Sequence, residues 1–425
     1  MMKIAIIGGG ISGLTSAYLL AEKAQVTLYE AGSELGGHAN THTAIIDGKH
    51  IPVDTGFMVY NPEMYPNFVE LLRRLDVKSQ NTEMTFSADI AGEVSYMSSF
   101  PTGVFADIKN IFRPRYLRFL LEIVRFRKIS LNALSNNLID ETTSLSEYFV
   151  KHNLSSDLYS WYLAPQLSAI WSCPDNKKIG EFPARSTLVF LNNHKLLNNI
   201  QPKWKTIVGG SIEYVTRMES YLSEKQVTIN KNTPVKKVLR TKSGATVESS
   251  FGTSEYDLVI FATHAKDTRE ILADRTPEED EALSCFSYSK NTTVLHSDIR
   301  LLSKNKKLWS AWNYAVHADK LAGDKIVFTY NMNILQDINK KYPLLVTLNS
   351  PIEIEKDLVH GIFNYEHPIY NLASLKGQHL INKLQGKNKI LYTGAHLGFG
   401  FHEDGIVSAI DALSTINILP PWKDK

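Results

Sequence analysis

The segment "KIAIIGGGISGLTSAYLLAEKAQVTLYEAG", Lys3 to Gly32, restricts the fold more than any other part of the chain. Lys3–Ile7 reads as a short buried strand, and Gly8, Gly10 and Gly13 follow it as G-x-G-x-x-G. The first glycine permits a tight turn, the second lets a pyrophosphate approach the backbone, and the third lets the helix pack close to the sheet. The helix runs on through Leu14, Tyr18 and Leu19, its positive N-terminus facing the phosphates. "VTLYE" makes a second strand ending at Glu30, where a carboxylate can accept the hydroxyls of an adenosine ribose. All five parts agree on a parallel α/β unit that binds a dinucleotide, NAD or FAD. A second doublet, Gly36-Gly37 in "GSELGGHANT", allows another close backbone approach that a plain NAD unit does not require.

The rest of the chain must be built around this unit. At 425 residues it suits about two domains. A net charge of +2 provides no field to recruit nucleic acid. The two cysteines, Cys173 and Cys285, form no CxxC, so neither a disulfide framework nor a zinc site is expected and a reducing, cytoplasmic setting is. Ile4 to Ala21 is an uncharged run of 18 positions, close to a membrane span in length, but Gly8, Gly9 and Gly10 interrupt it.

Character changes several times along the chain. Tyr60 to Trp204 reads as mostly helical with few β runs; Phe68, Leu71, Leu72 and Leu75 form one helical stripe. Another doublet, Gly209-Gly210, precedes a helix for which Ser211 is the expected N-cap. "EYDLVIFATHAKDTREIL" returns to strand-then-helix style, strands follow between Phe286 and Leu384, and "NKILYTGAH" resumes the first style. The expected fold class is therefore α/β, α+β overall. A split Rossmann-like domain (1–60, 205–285, 385–425) carries an inserted substrate domain (61–204, 286–384) of helices and a mainly antiparallel sheet.

The chain resembles FAD-dependent oxidoreductases of the amine oxidase and phytoene desaturase superfamily. It looks closest to a bacterial group of NAD/FAD-binding amine oxidoreductases whose genes accompany cyclopropane-fatty-acyl-phospholipid synthase. The segments that carry the resemblance include "GGGISGL", "YEAGSELGGHANT", "AIWSCP", "FPAR", "TPVKKV", "YDLVIFATHA", "NYEHP" and "GFGFHEDG", spread over nearly the whole chain. The resemblance implies FAD as cofactor. It implies that Gly8, Gly10, Ser12, Gly13 and Glu30 hold the pyrophosphate and ribose, with Gly36, Gly37 and His38 beside them. It places Val235, Ala262 and Thr263 at the nucleotide, and Gly394, Glu403, Asp404 and Gly405 at the flavin.

Departures from the family pattern bear on the substrate. His38 stands where many members have Arg, and Ala395 where many have Asp. The strand that carries a flavin-facing Lys in amine oxidases offers Thr293 and His296 instead. The C-terminal loop lacks the tyrosine of an aromatic amine cage, although Phe399 and Phe401 stand nearby. These differences argue against amine oxidation.

Proton-moving candidates are His402, beside the flavin loop, and His296, since an imidazole titrates near neutral pH. Both also suit purely structural hydrogen bonds. Glu403 and Asp404 suit helix capping. His38 and His42 are four apart but follow a Gly-Gly loop, not a helix, so metal is not expected. Ile108 to Lys128 contains seven basic residues and one acid. As a helix after Pro114 it sets Leu117, Leu120, Leu121 and Val124 on one face, and Arg115, Arg118, Glu122 and Arg125 on the other. Such a pattern suits an ordinary substrate-domain helix with a solvated basic face, or alternatively an anionic membrane surface. The combined expectation is a dehydrogenase or desaturase passing hydride from an apolar, acyl-lipid-like substrate to FAD, in the cytoplasm, with peripheral contact at the inner face of the membrane as the accompanying expectation. The alternatives are a flavin amine oxidase and a non-catalytic lipid binder of the GDP-dissociation-inhibitor type.

Overall fold

The computed structural model describes residues 1–99, 101–173, 176–198, 202–317 and 325–422. Pro174, which closes the "AIWSCP" segment, lies outside them. Lys3–Ile7 is the centre of a five-stranded parallel sheet, flanked by Gln25–Tyr29 and Thr228–Asn230 on one side and by Leu258–Phe261 and Ile390–Tyr392 on the other. Ile4, Ile6, Leu28, Val259 and Ile260 are buried, as expected for strands covered on both faces. The helix Ile11–Leu20 packs against the helix His402–Ser414. Their approach depends on Gly405, where a Cβ would lie 2.7 Å from Ile11 Cγ2.

A seven-stranded sheet forms the second body of structure. Its order is Val359–Pro368, Tyr288–His296, Leu345–Leu348, Lys325–Asn331, Trp312–His317, Phe86–Ile90 and Val94–Met97. All neighbours are antiparallel except Trp312–His317 with Phe86–Ile90. Register fixes which residues share a face, because residues directly opposite one another point the same way. Thr293 faces Leu348 and Phe363, and Trp312 faces Tyr330, which faces Val346. These residues therefore share one face, and Thr347, paired with Val294 and Thr329, lies on the other.

Three short strands interrupt the mostly helical 60–204 stretch: Ser79–Thr82 and Phe86–Ile90 pair with the distant Trp204–Ile207 and Trp312–His317, and Val94–Met97 pairs with the neighbouring Phe86–Ile90. Two expectations need correction. Ser211 begins the helix Ile212–Glu224, but its side chain does not cap it. Its hydroxyl and its N–H both donate to the buried carboxylate of Asp54 at 2.8 Å, and Thr41 Oγ1 accepts from Ile212 N instead. The helix Pro114–Ser135 does not bury Leu117, Leu121 and Val124. Tyr116, Phe119 and Phe126 face the core, because larger aromatic rings remove more apolar area from water.

Candidate active site

One cavity of about 680 Å³ runs between the two sheets, within the usual range of small-molecule sites. At one end lie Gly8, Gly10, Ser12, Glu30, Gly36 and Gly37, and Val235, Ala262 and Thr263 complete that end. Gly8 has φ +106°, and a Cβ there would lie 2.6 Å from the carbonyl oxygen of Ala262. Its N–H donates to Tyr29 O at 2.8 Å, which sets the turn. A Cβ on Gly13 would fall on the carbonyl oxygen of Gly8, so that glycine lies beneath the loop and allows helix and strand to close up. Gly10 differs from both. Its φ of −75° is available to any residue, and a Cβ there would meet nothing within 4 Å. Nothing in the protein demands glycine at position 10; what needs the space is a group that occupies the cavity.

The Glu30 carboxylate accepts from Gly9 N and Gly32 N, each at 2.7 Å, and still lines the cavity. Each oxygen keeps a second lone pair for a ribose hydroxyl. The residues present thus fit a dinucleotide: an open glycine backbone at a helix N-terminus, and an oriented acid near it.

The other end is walled by the shared face of the seven-stranded sheet, with Thr293, Leu348, Tyr330 and Trp312, and by Ala169 and Ile170. Thr293 Oγ1, Trp312 Nε1 and His38 Nε2 are buried without a hydrogen-bond partner in the protein. An unpartnered buried polar group costs about 1–3 kcal/mol, so three in the walls of one cavity mark groups that a ligand completes. Thr293→Val should therefore leave the ligand-free protein as stable or up to about 1 kcal/mol more stable, and weaken ligand binding. Thermal melting of flavin-stripped protein checks this, and a clear loss of stability would show that the hydroxyl has a partner within the fold.

His296 does not reach the cavity. It accepts from Asp298 N through Nδ1 at 3.0 Å, so Nε2 carries the proton and donates to Thr347 Oγ1 at 2.7 Å, on the sheet face opposite Thr293. His296 stands three positions after Thr293, and an odd step along a strand means opposite faces. His402 does line the cavity, stacked on Phe57 at 3.6 Å between ring centres, with Nε2 3.1 Å from Tyr214 OH. Burial pushes its pKa down to about 3, so the ring is neutral near neutral pH and is not a proton donor there.

The acids of the C-terminal loop are not in the cavity wall. Glu403 accepts from Asn67 N at 3.0 Å and Phe68 N at 2.9 Å, satisfying the first turn of the helix Pro66–Arg74. Asp404 accepts from Phe401 N at 2.8 Å at the start of its own helix, and burial raises its pKa to about 6. Gly405 belongs to the helix–helix contact already described. Gly394, Ala395, His396, Gly400, Phe401 and His402 are the part of this loop that lines the cavity.

Sequence reasoning passed over His264, His367 and His396, which join His38 and His402 in the cavity wall. Burial pushes His367 and His396 down to about 3 and His38 to about 4. His367 Nδ1 accepts from Asn291 Nδ2 at 2.8 Å, and its ring lies 5.1 Å from that of His38. The one available signal was "NYEHP", since Tyr365, Glu366, His367 and Pro368 all line the cavity. Among the described residues no group of three or more His, Cys, Asp or Glu is placed to hold a metal.

The chain is similar to several known proteins. The family model of flavin-containing amine oxidoreductases matches residues 11–295. Carotenoid phi-ring synthase of Streptomyces griseus is 41% identical over 75 residues, a match that spans 17% of this chain and 14% of that protein. Among solved structures, cyclohexylamine oxidase from Brevibacterium oxydans superposes with a TM-score of 0.68 at 14% identity, covering 98% of each chain. A fatty acid isomerase from P. acnes that produces CLA superposes with a TM-score of 0.65 at 13% identity, again over 98% of each chain. At such identities the structural likeness establishes the fold alone.

Proposed function

The chain belongs to the family of flavin-containing amine oxidoreductases, enzymes whose cofactor is a flavin, and from that premise we propose that it dehydrogenates an apolar, acyl-lipid-like substrate. The observation that carries this reading is the chemistry of the cavity's far end. Trp312 Nε1 can only donate a hydrogen bond, so its missing partner is an acceptor such as a carbonyl or ester oxygen. An ammonium group has donors only and would leave that indole unsatisfied. The cavity's carboxylates do not serve an amine there either. Glu30, Asp267 and Glu270 come from the nucleotide-binding half, and Glu366 is ion-paired with Lys266 at 2.5 Å. The remaining wall is aromatic and aliphatic, which favours a hydrocarbon chain.

In this reading residues 1–60, 205–285 and 385–425 hold the cofactor, and 61–204 and 286–384 hold the substrate. Gly8, Gly10, Ser12, Gly36 and Gly37 leave room for the pyrophosphate, and Glu30 orients the ribose. Bound FAD supplies the two-electron acceptor for a substrate C–H bond. The protein's share is to orient and to exclude water. Phe57 and Tyr214 fix the neutral ring of His402, Asn291 fixes that of His367, and Thr293 and Trp312 orient the substrate's polar end. Two free cysteines, Cys173 buried and Cys285 partly buried, suit a cytoplasmic setting. No helix of the described residues is long and apolar enough to cross a membrane.

Anaerobic mixing with candidate substrates tests the proposal. Detergent-dispersed phospholipid extracts should bleach the flavin absorbance, and simple primary amines should not. Bleaching by amines alone would replace this reading with amine oxidation.

A further inference from the structure

Six aliphatic or aromatic side chains between the turn Ile108–Phe112 and the middle of the helix Pro114–Ser135 face solvent. Ile108 is 68% exposed, Phe112 82%, Leu121 71% and Val124 63%, and Ile111 and Leu117 are also exposed. Leu117, Leu121 and Val124 are spaced i, i+4, i+7, so they form one stripe along the helix. Monomeric surfaces rarely present large apolar side chains in such a row without a use for them.

The charges around the stripe identify what covers it. Lys109, Arg113, Arg118, Arg125 and Lys128 border it, and Glu122 is the one acid in the segment. Glu122 accepts from Ser155 and is largely covered. Arg115 is ion-paired with Asp157 at 2.7 Å and Glu93 at 2.9 Å, and Arg125 donates to the carbonyls of His152 and Asn153. Arg118 and Lys128 form no ion pair among the described residues, and Arg118 acts on the Asp157 carboxylate only at longer range. An apolar stripe with cations beside it matches the boundary between acyl chains and anionic headgroups.

We propose that the 108–128 surface inserts its apolar side chains shallowly into an anionic bilayer, making the protein a monotopic peripheral membrane protein. The helix packs on Ala184–Asn193, whose Phe190 stacks on Phe401 at 5.0 Å in the cavity wall. The docked face is therefore one helix layer from the cavity. The proposal gives the acyl-lipid reading its source of substrate, but vesicle binding stands or falls without it.

Sedimentation with vesicles of phosphatidylglycerol and phosphatidylcholine provides the test, alongside vesicles of phosphatidylcholine alone. Wild-type protein should pellet with the anionic vesicles and at least tenfold less with neutral ones. The triple variant Phe112→Ser, Leu121→Gln, Val124→Gln should lose tenfold or more of that binding with flavin content and melting temperature unchanged, since all three side chains are exposed. Arg118→Gln with Lys128→Gln should lose the preference for anionic lipid. Wild-type protein that stays in the supernatant would overturn the proposal, as would a triple variant that pellets like wild type. A concentration-dependent dimer abolished by the triple variant would also overturn it, in favour of a self-interface. Flavin bleaching in detergent micelles needs no bilayer, so failure of the substrate reading would be seen separately.

Discussion

Gly10→Val is expected to yield folded, colourless protein. The backbone there has φ −75° and open space where a Cβ would go, so the ligand-free fold accepts a side chain without strain. The same side chain fills the cradle into which the cofactor's phosphates must come, and binding should fall by at least about a hundredfold, the equivalent of some 3 kcal/mol. Gly13→Ala should behave in the opposite order. Its Cβ would overlap the carbonyl of Gly8, so the strand–turn–helix unit must spread, which costs on the order of 3 kcal/mol and lowers stability even without flavin. Thermal melting and flavin content, measured together on both variants, separate the two effects. A Gly10→Val protein that keeps its flavin would mean that the cradle is not where the cofactor binds.

A steep loss of stability below pH 6 is the second expectation. His38, His194 and His296 are pushed down to about 4, and His367, His396 and His402 to about 3, in each case chiefly by burial. All six stay neutral in the folded protein while the unfolded chain protonates them near pH 6.5, so their contribution is complete above that pH and is lost as pH falls. Asp54 and Asp404 oppose this. Burial raises both to about 6, so the folded state binds a proton that the unfolded state lacks between about pH 4 and 6. Six protons against two leaves a net uptake of about four on unfolding near pH 5, a slope of roughly 5 kcal/mol per pH unit. That slope is large against the total stability of an ordinary fold, about 5–15 kcal/mol. Denaturant melts at pH 7, 6 and 5 should show the midpoint collapsing, and a midpoint that holds steady to pH 5 would show that the histidines are not buried as described.

The nucleotide half of the molecule was readable in the sequence because its determinants are local. Strand, glycine spacing, helix and terminal acid lie within Lys3 to Glu30, and each residue's role follows from its neighbours. The fold class follows from the same patterns. The substrate half was less readable because its determinants are distant. Phe86–Ile90 is a strand by virtue of Trp312–His317, and Trp312 is a cavity residue by virtue of the sheet's register. Thr293 and His296 were equivalent candidates until pairing assigned them to opposite faces. The helix Pro114–Ser135 carries two stripes of similar period, one aromatic and one aliphatic, and only the neighbouring helices decide which is buried. Glu403 looked like a residue for the cofactor loop or for its own helix; it satisfies the start of another helix far earlier in the chain.

Equilibrium titration of FAD into flavin-stripped protein, followed by quenching of flavin fluorescence and by the melting temperature, tests the central claim most directly. Wild-type protein should take up one FAD per chain, with a melting temperature that rises with free FAD as linkage requires, and Gly10→Val should do neither. A wild-type protein that takes up no FAD, or a variant that takes it up equally well, would contradict the account.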